Sequence, residues 1–219
     1  QGPVLEDADV TIGVVQGVLG IRWFDCTVTG MEAHAGPTPM ALRKDAMQIS
    51  ARIMQEVVGC AMRHQPHGRG TVGMVQVFPN SRNVIPGRVK FSIDLRNATD
   101  TLVDQMADEV KAFAAKVAKD SGLDVKIEMV SSYPAQVFHP DCVDAVARAA
   151  KKLGYSNMPA VSGAGHDAVY MAKLAPAGMI FIPCKDGISH NEIEDAKPEH
   201  ITAGCNVLLH AMMERAGVV

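Results

Sequence analysis

The sequence predicts an α/β protein in which a ferredoxin-like α/β sandwich is inserted into part of a second α/β domain. Residues 21–131 have the predicted order strand, helix, strand, strand, helix, strand, which is the order of such a sandwich. Residues 136–219 alternate predicted helices with a buried strand and polar loops, which is typical of a parallel α/β sheet. We therefore expect domain divisions near residues 20 and 135, and we expect the opening strand, within residues 1–19, to join the second sheet.

The first half of the sandwich follows from three patterns. Residues 9–29 are rich in Val, Ile and aromatic residues, and glycines interrupt them, which predicts extended chain. From Leu42 onward apolar residues recur every three or four positions, which predicts an amphipathic helix at about residues 39–62. Residues 70–78 and 88–96 predict two strands, and the second alternates apolar with polar side chains.

The remaining elements follow from similar patterns. An apolar stripe after Asp100 predicts a second helix that ends at Gly122, a residue type suited to a helix C-cap. Residues 124–130 predict the last strand of the sandwich. The second domain has three further predicted elements, which are a helix over residues 141–153, a strand over residues 178–183 and a helix from residue 198 to about residue 215.

The composition indicates a soluble globular protein. Of 219 residues, 47% are hydrophobic and 21% are charged, and the net charge is −3. The absence of a Lys/Arg cluster argues against nucleic acid as a partner, and no apolar run is long enough to predict a membrane span. Five scattered cysteines without a C-x-x-C pair indicate reduced thiols and a cytoplasmic location. Because the chain begins with Gln1, we expect it to be processed or to be a piece of a longer protein.

Polar residues concentrate in a few short stretches among glycines and prolines, namely "EAHAG", "NVIPG" followed by "DLR", "SGAGHDA" and "GISHNEIE". A single loop histidine is more often a bystander than a catalyst. Together with "QGPVLE", and in this order along the chain, the stretches resemble the M20-type metal-dependent amidohydrolases. The resemblance is strongest to the hydantoinase/carbamoylase branch, which includes N-carbamoyl-L-amino-acid hydrolases, β-ureidopropionases and allantoate amidohydrolases.

The resemblance implies a domain organisation. The family has a metallopeptidase-type α/β catalytic domain that holds two divalent metal ions (Zn, Mn, Co or Ni), interrupted by a ferredoxin-like lid and dimerisation domain. Residues 20–135 would be the lid, residues 1–19 a strand of the catalytic domain, and residues 136–219 its C-terminal part. The implied partners are a small-molecule N-carbamoyl amino acid and a second copy of the chain, which binds through the lid.

The resemblance also implies catalytic roles. His190 matches a metal ligand, and its alternative interpretation is a loop histidine without a metal. His34 matches a lid histidine that donates a hydrogen bond to the oxyanion. Asn83 matches an asparagine that contacts the polar end of the substrate, and an Asx turn ahead of Pro86 is its alternative.

Five further residues match substrate-binding positions. Arg96 matches the residue that binds the substrate carboxylate, and a structural salt bridge to Asp94 or Asp100 is its alternative. The remaining matches are Gln1, Gly163, Gly165 and His166. The two glycines would let the backbone approach a ligand closely.

The remaining metal ligands and the catalytic glutamate of the family precede "QGPVLE", so this chain does not contain them. We therefore expect the chain itself to be inactive, with weak or absent metal binding at His190. The whole enzyme would hydrolyse the ureido C–N bond of N-carbamoyl-L-amino acids by means of a metal-activated water. Allantoate and N-carbamoyl-β-alanine are alternative substrates, and a non-catalytic dimerisation or substrate-binding module is an alternative of another class. The sequence leaves open whether His34, Asn83 and Arg96 act in the site of the partner subunit.

Overall fold

The computed structural model describes residues 2–217, which contain strands, α-helices and two short 3-10 helices. The strands are β1 (Ile12–Val18), β2 (Gly20–Thr29), β3 (Ala33–His34), β4 (Arg69–Thr71), β5 (Val75–Phe78), β6 (Val84–Ile85), β7 (Arg88–Asn97), β8 (Asp124–Tyr133), β9 (Gln136–Val137), β10 (Asn157–Ser162) and β11 (Met179–Phe181). The α-helices are α1 (Val4–Asp7), α2 (Ala46–Arg63), α3 (Asp100–Ser121), α4 (Pro140–Lys152), α5 (Asp167–Met171) and α6 (Pro198–Ala216). The 3-10 helices are Met40–Leu42 and Lys185–Gly187.

Contacts within the chain divide it into two units. The central unit is Gly20–Ala135, and the flanking unit combines the residues before Gly20 with those after Ala135. Each unit has its own hydrophobic core. The assignment of these units to a lid and to part of a catalytic domain remains a prediction.

The central unit has an antiparallel sheet with helices α2 and α3 on one face. Strands β4, β7, β2 and β8 lie in that order across the sheet, and β5 also pairs with β7. Along β7 the side chains of Phe91, Ile93 and Leu95 are buried among apolar residues of both helices. The alternate residues Asp94 and Arg96 consequently point to the opposite face of the sheet. The order of elements is β-α-β-β-α-β, as the hydrophobic periodicity predicts.

Two boundaries in the central unit differ from the sequence prediction. Helix α2 begins at Ala46 rather than near residue 39, because Asp45 caps it by accepting a hydrogen bond from the Met47 backbone N–H at 2.9 Å. Leu42 therefore lies in a 3-10 helix and is exposed, so its inclusion in the apolar stripe was wrong. The strand predicted at residues 70–78 is divided into β4 and β5.

The second helix of the central unit ends where the sequence predicts. Gly122 follows α3 with φ of 69°, the left-handed conformation that glycine adopts without a steric penalty. Its backbone N–H donates to the Ala118 carbonyl at 2.9 Å and so satisfies one carbonyl of the last turn.

The flanking unit contains a mixed sheet rather than the parallel one that the sequence predicts. β1 is central, with β10 parallel on one side and β11 antiparallel on the other, and β9 also pairs with β1. The opening strand thus belongs to the same sheet as the strand predicted at residues 178–183, as expected, but the two run in opposite directions. Helices α4 and α6 pack on each other, and both contribute to the core beside β1. Within residues 2–217 no helix is both long and apolar enough to cross a membrane.

Candidate functional site

A short two-stranded ribbon in the central unit brings His34 and Asn83 together. In the pairing of β3 with β6, His34 lies opposite Val84. The backbone N–H of Ala35 donates to the Asn83 carbonyl at 2.8 Å. The two residues are far apart in the sequence, and the ribbon makes them neighbours on an exposed surface.

The loop around His34 fixes the tautomer of its ring. The backbone N–H of Gly36 donates to His34 Nδ1 at 3.0 Å, so Nδ1 is an acceptor and the proton lies on Nε2. A Cβ atom at residue 36 would lie 3.3 Å from His34 Cε1, which is tighter than an ordinary van der Waals contact. Thr38 Oγ1 donates to the His34 carbonyl at 2.7 Å, and Arg43 Nη2 donates to the Ala35 carbonyl at 2.7 Å. The exposed His34 ring is thereby held as a hydrogen-bond donor through Nε2.

The side-chain amide of Asn83 also has a defined orientation. Ser81 Oγ donates to Asn83 Oδ1 at 3.0 Å, so the amide nitrogen is the group that can donate to a ligand. Because Oδ1 accepts from a hydroxyl rather than from a backbone N–H, the Asx turn considered ahead of Pro86 is not the arrangement observed.

Backbone hydrogen bonds hold the two loops of the ribbon together. Gly30 N–H donates to the Gly87 carbonyl at 2.7 Å, and Ala46 N–H donates to the Pro86 carbonyl at 3.1 Å. A Cβ atom at Gly87 would lie 2.5 Å from Glu32 Cγ, so only glycine permits this approach. The prolines and glycines of "EAHAGPTPM" and "NVIPG" therefore build one fixed loop pair.

Arg96 lies near the end of β7 in a two-point ion pair with Asp94. Arg96 Nε is 3.0 Å from Asp94 Oδ1, and Arg96 Nη2 is 2.6 Å from Asp94 Oδ2. The alternative interpretation, a salt bridge to Asp94, is thus observed, whereas Asp100 pairs with Arg22. The pair fixes the plane of the guanidinium group, which has five N–H donors in total.

Arg96 and the ribbon lie at opposite ends of β7. Gly87, which holds the ribbon, immediately precedes Arg88, the first residue of the strand. Arg96 follows eight positions later, which corresponds to about 26 Å along an antiparallel strand. The end of β7 next to the ribbon and the end that carries Arg96 are therefore well separated along the strand.

In the flanking unit, the start of the chain lies against the loop that carries His190. Gly187 has φ of 63°, and a Cβ atom there would overlap with Pro3. Pro3 of "QGPVLE" and Gly187 of "GISHNEIE" are therefore neighbours, although almost the whole chain separates them. The predicted site residue Gln1 lies outside the described residues.

His190 is an exposed loop residue with φ of 58°, and its backbone N–H donates to Glu194 Oε2 at 3.0 Å. Within residues 2–217 one group of three His, Cys, Asp or Glu side chains has converging ligand atoms, and it consists of Cys60, His64 and Glu109. His190 is not part of that group. The described residues therefore supply one imidazole at His190, which does not fit a two-metal centre by itself.

His166 is a partly buried residue beside β10. Its Nε2 atom lies 2.8 Å from Ser162 Oγ, and its ring meets the Phe181 ring edge-on at 5.7 Å between centroids. Burial lowers the pKa of His166, because the charged form loses hydration. Gly163 and Gly165 are exposed, and a Cβ atom at either would meet no atom of the described chain within 4 Å. Close packing among the described residues therefore does not explain why these positions are glycine.

Comparisons with known proteins match the chain along its whole length. The family model described as peptidase family M20/M25/M40 matches residues 1–214. The chain belongs to this family.

Several relatives of this M20/M25/M40 chain are named as amidohydrolases or amidases. It is 46% identical over 219 residues to an N-carbamoyl-L-amino-acid amidohydrolase of Rhizobium meliloti, covering 100% of this chain and 53% of that protein. It is 31% identical over 216 residues to an allantoate amidohydrolase of Bacillus subtilis, covering 99% of this chain and 52% of that protein. A crystal structure of an amidase of the hydantoinase/carbamoylase family from Burkholderia multivorans superposes with a TM-score of 0.96 at 52% identity, covering 98% of this chain and 52% of that one.

These findings confirm the resemblance to the hydantoinase/carbamoylase branch. The chain spans about half the length of the relatives that it matches. The relatives act on non-peptide C–N bonds, which agrees with the type of enzyme that the motifs indicate.

The salt bridge from Arg96 to Asp94, which the sequence offered as the alternative for Arg96, joins two residues on the same face of β7. The group of Cys60, His64 and Glu109 was not predicted from the sequence. Cys60 and His64 have the i, i+4 spacing of a helix face, but their proximity to Glu109 depends on the packing of α2 on α3.

Proposed function

We propose that the whole protein hydrolyses the ureido C–N bond of N-carbamoyl-L-amino acids and that this chain supplies oxyanion donors and a carboxylate-binding residue. The observation that carries the proposal is the His34–Asn83 ribbon. Its two side chains have their donor groups, His34 Nε2–H and the Asn83 amide, fixed in orientation by neighbouring bonds. The 46% identical relative supports the substrate class.

The first role is stabilisation of negative charge on the substrate carbonyl oxygen. An attacking water converts the ureido carbonyl into a tetrahedral species with a developing oxyanion. A donor held in position before the reaction stabilises that charge, and one such donor is typically worth about 3 kcal/mol in the transition state. His34 suits this role because Gly36 N–H donates to Nδ1, which leaves Nε2 as the atom that can donate to the oxyanion.

The second role is recognition of the α-carboxylate of the substrate. The guanidinium group of Arg96 can bind two carboxylate oxygens in one plane, and Asp94 aligns that plane by pairing with the Nε side of the group. Gln1, His166 and the backbone at Gly163 and Gly165 are assigned to the rest of the substrate on the basis of the motif match.

Two divalent metal ions belong to the proposal for the whole enzyme, where they would supply the activated water. Within residues 2–217 His190 belongs to no group of three converging ligands, so these residues alone do not fit a two-metal centre. We accordingly expect the 219-residue chain to be inactive alone and to bind metal weakly or not at all through His190.

The distance along β7 supports a homodimer with shared sites. Because about 26 Å separates Arg96 from the ribbon end of the strand, each site would take Arg96 from one subunit and His34 with Asn83 from the other. The open edge of the central sheet offers a place for the partner. In the described chain β8 pairs only with β2, and its long edge exposes Met129 and Val130.

The test compares hydrolysis of N-carbamoyl-L-methionine and of allantoate by the full-length protein. The proposal expects a higher kcat/KM for the carbamoyl amino acid, and Arg96→Met should raise KM while the metal content stays the same. Preference for allantoate would support the alternative that the 31% identical relative suggests. Turnover of neither substrate by the metal-loaded protein would favour the non-catalytic binding module.

A further inference from the structure

Three metal-binding types of side chain meet between the two helices of the central unit. Cys60 lies in the last turn of α2, His64 directly follows that helix, and Glu109 faces both from α3. Glu109 Oε1 is 2.7 Å from His64 Nε2, and Glu109 Oε2 is 3.6 Å from Cys60 Sγ. All three potential ligand atoms lie within 4.8 Å of one another.

We propose that Cys60, His64 and Glu109 form a zinc-class divalent metal site. Zinc binds thiolate, imidazole and carboxylate ligands at about 2.0 to 2.3 Å, so tetrahedral ligands lie roughly 3.3 to 3.8 Å apart. The present spacing requires only small side-chain rotations to reach that geometry. Water would complete the fourth position, and none of these three residues takes part in the proposed hydrolysis.

The burial of the three side chains provides a route for the ion. Cys60 is fully buried at the base of the group, the His64 side chain is 15% exposed, and the Glu109 side chain is 41% exposed. An ion can therefore reach Glu109 first from the solvent and then move inward to the sulfur. The thiol gives up its proton to solvent on binding, because the thiolate is the metal ligand.

The charges around the group balance when the ion is bound. Arg63 Nη2 now contacts Glu109 Oε2 at 3.0 Å and also pairs with Glu56. With a divalent ion present, the Cys60 thiolate and the Glu109 carboxylate neutralise its two charges. Arg63 keeps Glu56 as its own counterion, so the site as a whole carries no excess charge.

The test uses Co²⁺ as a probe of zinc sites in the reduced, metal-free 219-residue chain. A cobalt–thiolate bond gives a charge-transfer absorption band in the near ultraviolet, which neither imidazole nor carboxylate produces. We expect this band to saturate at one equivalent of Co²⁺ and to disappear on addition of Zn²⁺. The variant C60S should lose the band, and Cys205→Ser, which changes an exposed cysteine outside the group, should retain it.

A second variant leaves the buried Cys60 unchanged, so that the test does not depend on the folding of C60S. His64→Gln keeps an N–H group that can donate to Glu109, so the contact between the helices is preserved while the imidazole ligand is lost. We expect the dissociation constant for Co²⁺ to rise at least about tenfold in this variant. Circular dichroism of each variant confirms that the comparison is made on folded protein.

Two results would overturn the proposal. One is the absence of a thiolate band with excess Co²⁺, and the other is a band that survives in folded C60S. The readout is independent of the proposed amidohydrolase activity, because His190→Ala should leave the band unchanged. A cobalt signal that depends on His190 rather than on Cys60 would count against this site and also against the expectation of weak binding at His190.

Discussion

Shared active sites make a quantitative prediction about mixed dimers of the full-length enzyme. The single variants His34→Ala and Arg96→Met should each have a greatly reduced kcat/KM as homodimers, since every site then lacks either its oxyanion donor or its carboxylate-binding residue. A heterodimer with one subunit of each type is different. If sites are shared, one of its two sites receives Arg96 and His34 intact and the other receives neither.

The magnitude follows from the geometry of β7 and from two-fold symmetry. Arg96 and the ribbon end of the strand are about 26 Å apart, and the proposal therefore assigns the two residues of one subunit to different sites. A two-fold dimer has two equivalent sites, and one restored site gives about half of the wild-type activity per dimer. If both residues served the same site, the heterodimer would have no complete site and no activity.

The assay co-expresses the two variants with different affinity tags and purifies the heterodimer through both tags in succession. The matched control pairs a wild-type subunit with one that carries both substitutions. Shared sites predict an inactive control, because each site lacks one of the two residues, whereas unshared sites predict half activity. An inactive single-variant heterodimer together with a half-active control would therefore refute the reasoning.

Two further predictions concern the central unit itself. Replacing the buried Arg22 by Met should lower the free energy of unfolding by about 2 kcal/mol, because the guanidinium group donates hydrogen bonds to Asp100 and Asp104 at 3.0 and 2.8 Å. Urea denaturation measures this change, and a decrease of less than about 0.5 kcal/mol would contradict the prediction. Burial raises the pKa of the Cys26 thiol to about 12, so at pH 8 this thiol should stay protonated and should not react with a disulfide reagent. The exposed Cys205 should react at once, and labelling of Cys26 at the same rate as Cys205 in folded protein would refute the prediction.

The sequence predicts the elements of the central unit well because their signals are local. Apolar spacing marks α2 and α3, and Gly122 marks the end of α3 through its own backbone conformation. The start of α2 was wrong by several residues because an apolar residue, Leu42, happens to continue the helical spacing beyond the Asp45 cap. Apolar spacing alone does not tell a helix from the turn that precedes it.

Features that depend on distant partners could not be predicted in the same way. The β10 strand was not identified, and its position beside β1 is set by pairing between Ile12 and Asn157. The direction of β11 relative to β1 was predicted incorrectly, since a short apolar strand has the same pattern in a parallel and in an antiparallel pair. The mixed sheet results from pairings between segments that are far apart along the chain.

The candidate site also combines features that depend on nearby residues with a feature that depends on the fold. Motifs can establish the first kind but not the second. The donor state of His34 depends on Gly36, and the alignment of Arg96 depends on Asp94, so each function is encoded within two residues of the side chain that performs it. Their separation, in contrast, is set by the length of β7. A motif list treats the two as parts of one site, whereas the proposed function assigns them to two sites because a strand of ten residues separates them. The mixed-dimer experiment tests this assignment directly, since it changes only which subunit supplies each residue.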